Sequence, residues 1–245
     1  MLFHKIEGEG KVFVFLHGFL ESSTMWQYLD LNQLVGKKVF IDLPGHGKSQ
    51  ISLPESPSIF FMAEKVNELL ASFAENEIIV VGHSMGGYVG IELAKLNENI
   101  QKVVLLNSNF WADSEQKKND RNRVVEILDS AKEKFIQEAI PNLFSDPNSH
   151  QSIINKIVKE AKSYTKEGIK FATLAMRDRP DNCLWLKMNP SKVMVIQGEL
   201  DKTAPIEMML EKLPANIDIK IIPNVGHMAH IESNEEVLLA LKSIN

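Results

Sequence analysis

The sequence predicts an α/β fold: a mostly parallel, doubly wound sheet with a helical insertion ahead of its last two strands. Three observations carry this. Unbroken aliphatic runs of strand length, such as Ile78-Ile79-Val80-Val81 and Val103-Val104-Leu105-Leu106, read as strands buried on both faces. Segments with apolar residues at helical spacing alternate with them. From about residue 108 to 186 the alternation stops, and three helical patterns succeed one another with no buried strand between them.

Residues 1–8 form a short edge strand, and Gly8-Glu9-Gly10 a turn. The run from Lys11 through Leu16 is a buried strand ending in His17-Gly18-Phe19-Leu20. Ser22, Ser23 and Thr24 offer N-cap hydroxyls to a helix carrying Met25, Trp26 and Leu29. Lys38-Val39-Phe40-Ile41-Asp42 is the next strand, followed by the Gly/Pro-rich loop Leu43-Pro44-Gly45-His46-Gly47-Lys48-Ser49. Residues 57–74 read as a helix with Ile59, Phe60, Met62, Ala63, Val66, Leu69, Leu70 and Phe73 on its apolar face. After the strand at 78–81, residues 87–95 are helical, and 102–107 are again a strand. The insertion holds helices at 123–139, 151–161 and 166–177, punctuated by Asp146-Pro147-Asn148 and Arg179-Pro180-Asp181-Asn182. A strand at 192–197, a helix at 206–213, a strand at 218–222 and a closing helix at 234–244 capped by Ser233 complete the chain. The division is thus a core of residues 1–108 with 187–245, and a helical cap of residues 109–186 at the sheet edge where ligands bind.

With 245 residues the chain is long enough for one large α/β domain with an insertion. Its net charge of −5 comes without a basic block, which argues against nucleic acid as a partner. No apolar run approaches the roughly 18 residues of a membrane span. The first residues lack a charged-then-apolar signal region, and the single cysteine, Cys183, excludes a disulfide framework. The expected setting is the cytoplasm, with a small-molecule substrate as partner. Nothing in the sequence assigns an oligomeric state.

The stretch that organises the chain is Gly82-His83-Ser84-Met85-Gly86, a G-x-S-x-G pattern set between a strand and a helix. A sharp strand-to-helix turn pushes the serine out at the top of the sheet, and the glycines avoid Cβ collisions there. A serine hydroxyl needs a base, best a histidine, and that histidine needs a carboxylate. Chain order selects Ser84, then Asp201 after the penultimate strand, then His227 after the last. Glu199 rivals Asp201, and His230 rivals His227. His83 is expected beside the sheet, and His17 and His46 are expected to shape loops. Asn107 sits at a strand end, where some related folds place the acid, but it is neutral. Backbone N–H groups of Phe19 and Met85 would meet a developing oxyanion. Leu20, Tyr88, Phe110 and Trp111, with Met176 and Trp185 from the cap, are expected on the substrate wall. Cys183 reads as structural, and no metal site is read.

These motifs resemble the α/β-hydrolase superfamily, in its branch of small capped serine hydrolases. The residues are His17-Gly18-Phe19, Asp42-Leu43-Pro44-Gly45-His46-Gly47-Lys48-Ser49, Gly82-His83-Ser84-Met85-Gly86-Gly87, Gly198-Glu199-Leu200-Asp201 and Gly226-His227. The resemblance implies the α/β-hydrolase fold and a Ser-His-Asp hydrolase without a cofactor. Haloalkane dehalogenases and epoxide hydrolases carry Asp where Ser84 stands. The chain also resembles the menaquinone-pathway lyase of the superfamily, which has Arg where Tyr88 stands; Arg177 or Arg179 of the cap could supply that charge. The expectations are therefore an esterase for small neutral esters, a C–C hydrolase or lyase using the same triad, or a ligand receptor with negligible turnover.

Overall fold

The computed structural model describes residues 1–71 and 77–244. Its centre is a seven-stranded sheet: β1 (His4–Glu7), β2 (Val12–Leu16), β3 (Lys37–Ile41), β4 (Ile78–His83), β5 (Ile100–Leu106), β6 (Val193–Gly198) and β7 (Asp218–Ile222). The strand order is β1-β3-β2-β4-β5-β6-β7. Only β1 runs antiparallel, pairing with β3 at the edge. The chain lays β3 on one side of β2 and then returns to lay β4 on the other. This reversal opens a crevice at the carboxyl ends of β2 and β4, where ligands bind in such sheets.

Nine α-helices lie among the described residues. They are α1 (Ile59–Leu70), α2 (Met85–Leu96), α3 (Glu115–Ala139), α4 (Gln151–Lys162), α5 (Lys166–Arg177), α6 (Cys183–Met188), α7 (Ile206–Lys212), α8 (Ala229–Glu232) and α9 (Asn234–Lys242). Between β5 and β6 the chain holds α3 to α6 and short 3-10 turns. None of the nine is long and apolar enough to cross a membrane.

Alternation along the strands divides the core into two layers. Val12, Val14, Leu16, Val80, Val103 and Leu105 face α1 and α2. Phe13, Phe15, Ile79, Val81, Val104 and Leu106 face Trp26 and the closing helix α9. Fully burying each such side chain contributes about 1.5–3 kcal/mol, so both faces drive the layering. A third cluster lies over the carboxyl edge. Leu128 and Ile136 of α3, Ile154 and Ile157 of α4 and Tyr164 pack there against Leu20, Met228 and Ile231.

Several elements differ from the sequence expectation. The segment capped by Ser22 is a 3-10 helix, Ser23–Tyr28, because its backbone bonds run three residues back, as from Met25 N–H to Ser22 O and from Leu29 N–H to Trp26 O. The helix expected to begin at 123 begins at Glu115, where Ser114 accepts the Lys117 N–H, and it bends at Ala131 (φ −142°, ψ 37°). The expected helix at 57–74 is α1, capped by Ser58; its expected last turn, with Phe73, lies outside the described residues. Ser233 precedes α9 but makes no side-chain cap bond. The short α6 and α8 are additions to the expected elements.

Candidate active site

The strand ends are level across the sheet. Leu16 pairs with Gly82, His83 with Leu106, and Leu106 with Ile196. The loops at 17–20, 84–85, 107–109, 199–205 and 223–228 therefore open on one edge. Ser84 sits at the tip of β4 with φ 49° and ψ −116°. A non-glycine residue held there stores about 1–3 kcal/mol of strain. The turn is held by the Ser84 N–H on Leu106 O (3.0 Å), the Ser108 hydroxyl on Ser84 O (2.7 Å) and the Gly87 N–H on Ser84 O (2.9 Å). Glycine is required on both sides: a Cβ on Gly82 would overlap the Gly86 carbonyl, and one on Gly86 would overlap the Leu16 carbonyl. Ser84 keeps 8% of its surface exposed. Met85, the first residue of α2, directs its N–H out of the helix, where it has no intrahelical acceptor.

His227 and Asp201 meet at this edge. The His227 Nδ1–H donates to Asp201 Oδ2 at 2.8 Å. The same oxygen accepts from Asn107 Nδ2 (3.0 Å) and Gln197 Nε2 (3.0 Å), and Oδ1 accepts the Thr203 and Ala204 N–H groups (2.8 and 3.0 Å). Burial alone would raise this carboxyl, but the facing imidazole and these donors outweigh it and hold its pKa at about 2. The carboxylate is thus fixed as an acceptor for His227. Glu199 is engaged elsewhere, accepting the Asn224 N–H at 3.0 Å. His230 lies in α8, buried, with neither ring nitrogen partnered among the described residues. Asn107 and Gln197 bind the acid directly. Sequence reasoning weighed Asn107 only as an alternative acid and passed over Gln197 as a strand residue.

The remaining histidines behave as loop braces. His17 accepts the Leu43 N–H at Nε2 (2.9 Å) and donates from Nδ1 to Gly18 O (2.7 Å), which fixes the neutral tautomer. Burial pushes its pKa down, and burial with His17 alongside pushes that of His46 down to about 3. His83 lies under His227, with ring centroids 5.0 Å apart. It donates from Nε2 to the His227 carbonyl (2.9 Å) and from Nδ1 to Glu21 (2.9 Å). Glu21 is a residue that sequence reading overlooked. Its only sequence signal is a carboxylate two residues past the His17-Gly18-Phe19 motif, and its partner is 62 positions away.

The residues expected on a substrate wall fall into two groups. Tyr88 and Trp111 line a cavity of about 350 Å³ together with Asn109, Asp113, Arg179 and Thr203. Leu20, Met85, Phe110 and Met176 are instead enclosed, each at most 3% exposed, because the helices above the sheet need them as packing partners. Trp185 of α6 is half-buried against the core. Phe19 is partly exposed beside His46 (ring centroids 6.1 Å). Of the two arginines that could supply a charge beside Tyr88, Arg179 is buried. Its guanidinium lies 4.3 Å from the Tyr88 ring centroid and pairs with Asp113 at 2.6 Å, donating also to the Trp111 and Met176 carbonyls. Arg177 stays at the surface with Asp178. Burial and the neighbouring Asp181 push the Cys183 thiol up to about 11, which keeps it protonated and unreactive. A larger cavity, about 650 Å³, lies between Phe3, Trp26, Lys48 and Glu160, and Ser84 lines neither cavity.

A strained serine between a strand and a helix, at the switch point of a parallel sheet, defines a hydrolase-type α/β protein. Residues 13–240 match the model of the alpha/beta hydrolase family, and the chain belongs to that family. It is similar to a pimeloyl-[acyl-carrier protein] methyl ester esterase of Pseudoalteromonas atlantica, at 28% identity over 96% of this chain and 94% of that protein. It is also similar to a putative 2-succinyl-6-hydroxy-2,4-cyclohexadiene-1-carboxylate synthase of Bacillus subtilis, at 26% identity over 89% and 84%. Among solved structures it superposes on a thermophilic esterase from Thermogutta terrifontis with a TM-score of 0.88, at 28% identity over 99% of this chain and 92% of that one. The fold and the family thus make it an alpha/beta hydrolase whose relatives include esterases and such a synthase.

Proposed function

We propose that the chain is a serine hydrolase that cleaves small carboxylic esters through an acyl-enzyme, with Ser84 as nucleophile, His227 as general base and Asp201 as its orienting carboxylate. The observation that carries this reading is the 2.8 Å bond from His227 Nδ1 to a multiply anchored Asp201, at the sheet edge that also carries Ser84. With Nδ1 committed to Asp201, the neutral ring keeps its other nitrogen as the basic one. Ser84 Oγ attacks the ester carbonyl as His227 takes its proton, and the Phe19 and Met85 N–H groups receive the oxyanion. Collapse of the tetrahedral species expels the alcohol, which takes that proton from His227. Water, activated by the same histidine, then releases the acid. The helices of 109–186 act as a cap that shields this edge from solvent.

The preferred substrate is a neutral, short-chain ester. Arg179 and Arg177, the arginines weighed for a negative acyl group, are each paired with an aspartate, and Arg121 beside Arg179 is held by the same Asp113. A buried anion without a free partner is strongly disfavoured. A second reading, a lyase acting on an anionic substrate, is favoured by one observation: the Arg179 guanidinium lies over Tyr88, the position at which the related lyases carry Arg. A ratio of kcat/KM above one for an anionic ester over its neutral counterpart selects that reading. Ser84→Ala tests the nucleophile directly. The variant is expected to fold and to lose turnover of short p-nitrophenyl esters, and labelling by a fluorophosphonate, by several orders of magnitude. Undiminished turnover by the folded variant ends the assignment.

A further inference from the structure

Beneath the proposed triad lies a second carboxylate–imidazole pair that the reaction steps leave unused. Glu21 follows the loop that carries the Phe19 N–H, and its carboxylate turns back under that loop. Oε2 accepts the Gly18 N–H at 2.6 Å and the His83 Nδ1–H at 2.9 Å. His83 then donates from Nε2 to the carbonyl of His227 at 2.9 Å. The side chains of Glu21 and His83 are 2% and 1% exposed. From above, the Tyr164 hydroxyl donates to the Glu21 carbonyl at 3.0 Å. One pair therefore touches the residue before Phe19, is itself the residue before Ser84, and holds the backbone of His227.

Energetic economy does not explain such a pair. Two buried charges lose their hydration, and well-packed apolar side chains of similar volume serve stability as well or better. Glu21 Oε1 has no partner among the described residues, so the carboxylate is not even fully satisfied. What the pair supplies is a fixed distance between the loop at Gly18-Phe19 and the loop at His227.

We propose that Glu21 is a positioning residue, which through His83 sets the oxyanion loop at Gly18-Phe19 in register with His227. The inference rests on the reading of Ser84 as nucleophile. The role is one of reach rather than charge. A glutamine at 21 still accepts the Gly18 N–H through its carbonyl oxygen. The same oxygen, in the place of Oε2, still accepts the His83 Nδ1–H, since one carboxylate oxygen now serves both donors. An aspartate keeps the charge but is one methylene too short to reach both partners.

The test compares E21D and E21Q with wild type, using short p-nitrophenyl esters, a boronic-acid transition-state analogue and the carboxylic acid product as a ground-state ligand. For E21D a fall in kcat of about 10- to 100-fold is expected, the scale of an ångström of misplacement. Affinity for the boronic acid falls by the same factor as kcat/KM, while product affinity stays within about 2-fold. E21Q is expected to recover most of kcat. Wild-type kcat in folded E21D, or a loss in E21Q matching that in E21D, overturns the proposal. If E21D does not fold, His83→Gln carries the test from the other end, since one amide group cannot span Glu21 and the His227 carbonyl as an imidazole does; unchanged kcat there overturns it equally. A wild-type protein that neither turns over esters nor takes the fluorophosphonate refutes the Ser84 reading itself, and the positioning proposal with it.

Discussion

Lowering the pH from 7.5 to 5.0 should remove much of the fold's stability, and the cause is three histidines buried in neutral form. His17, His46 and His230 are each fully enclosed, and each has its pKa pushed down from the ordinary 6.5, that of His46 to about 3. Burial is the leading cause in all three, and a second imidazole alongside, His17 for His46 and His83 for His230, adds to it in two of them. The bonding agrees: protonating His17 at Nε2 would eject the Leu43 N–H, and His230 has no acceptor for any added proton. The unfolded chain takes up these protons below pH 6.5 and the folded one does not, so stability is full above 6.5 and drains as the pH falls. A group that stays neutral in the fold costs about 1.4 kcal/mol per pH unit below 6.5, so His46 alone removes about 2 kcal/mol by pH 5.0, and His17 and His230 add to the loss in the same direction. That is a large fraction of the net stability of an ordinary domain, about 5–15 kcal/mol. His83 works in the opposite sense. Burial lowers its pKa, but Glu21 raises it by more, so its contribution is complete below 6.5 and offsets only part of the loss. Asp201 and Glu21, both held at about 2, are stabilising above the ordinary carboxylate range and are lost only as the pH falls from about 4 towards 2, a separate later phase. Urea unfolding at the two pH values, with the proton uptake on unfolding, measures this. His230→Phe should lower the uptake at pH 5.5 by about one proton. Equal stability at pH 7.5 and 5.0, or an uptake of one proton or fewer, would refute the reasoning.

Two further outcomes follow from the site. Asp201→Asn should keep the fold and lower kcat by about 10³–10⁴-fold, because an amide no longer fixes the His227 tautomer; steady-state ester hydrolysis with circular dichroism as the folding control checks it. Gly86→Ala should lower stability by about 1–3 kcal/mol, since the added methyl meets the Leu16 carbonyl rather than a movable side chain, and an unshifted urea midpoint would contradict this.

The sheet was legible because a strand buried on both faces has only one way to read. All six residues of β4 and all five of β2 are buried. The order Ser84, Asp201, His227 was legible for a related reason: in a parallel sheet every strand ends at the same edge, so chain order already assigns loops to one place. The 3-10 segment was misread because its apolar residues, Met25 and Trp26, fit either kind of helix. What differs is the bond length along the chain, which composition does not encode. The short α6 was missed because Leu184 and Met188 face outward, 69% and 73% exposed, and blur any amphipathic pattern. Glu21 and His83 were missed as a pair because nothing local signals a contact across 62 residues.

The substrate wall was illegible for a reason that lies in the cap. Helix α3 is strongly charged and buries only Leu128 and Ile136 along its 25 residues. A layer so poor in apolar side chains has to borrow them, and Leu20, Met228 and Ile231 complete its cluster from the loops of the sheet edge. Leu20, which looks like pocket lining in the sequence, is thereby drawn into packing. The cavity beside Tyr88 is edged by polar groups such as Asn109, Thr203 and the Arg179–Asp113 pair. Arg179 could not be read as buried from its neighbours Asp178 and Pro180, because the groups that make burial tolerable come from elsewhere: Asp113 and the carbonyl of Trp111. A buried guanidinium is retained only where such acceptors converge. The charge beside Tyr88 is thus decided by residues 113 and 121 as much as by residue 179, and a pattern search along any one of these segments misses it.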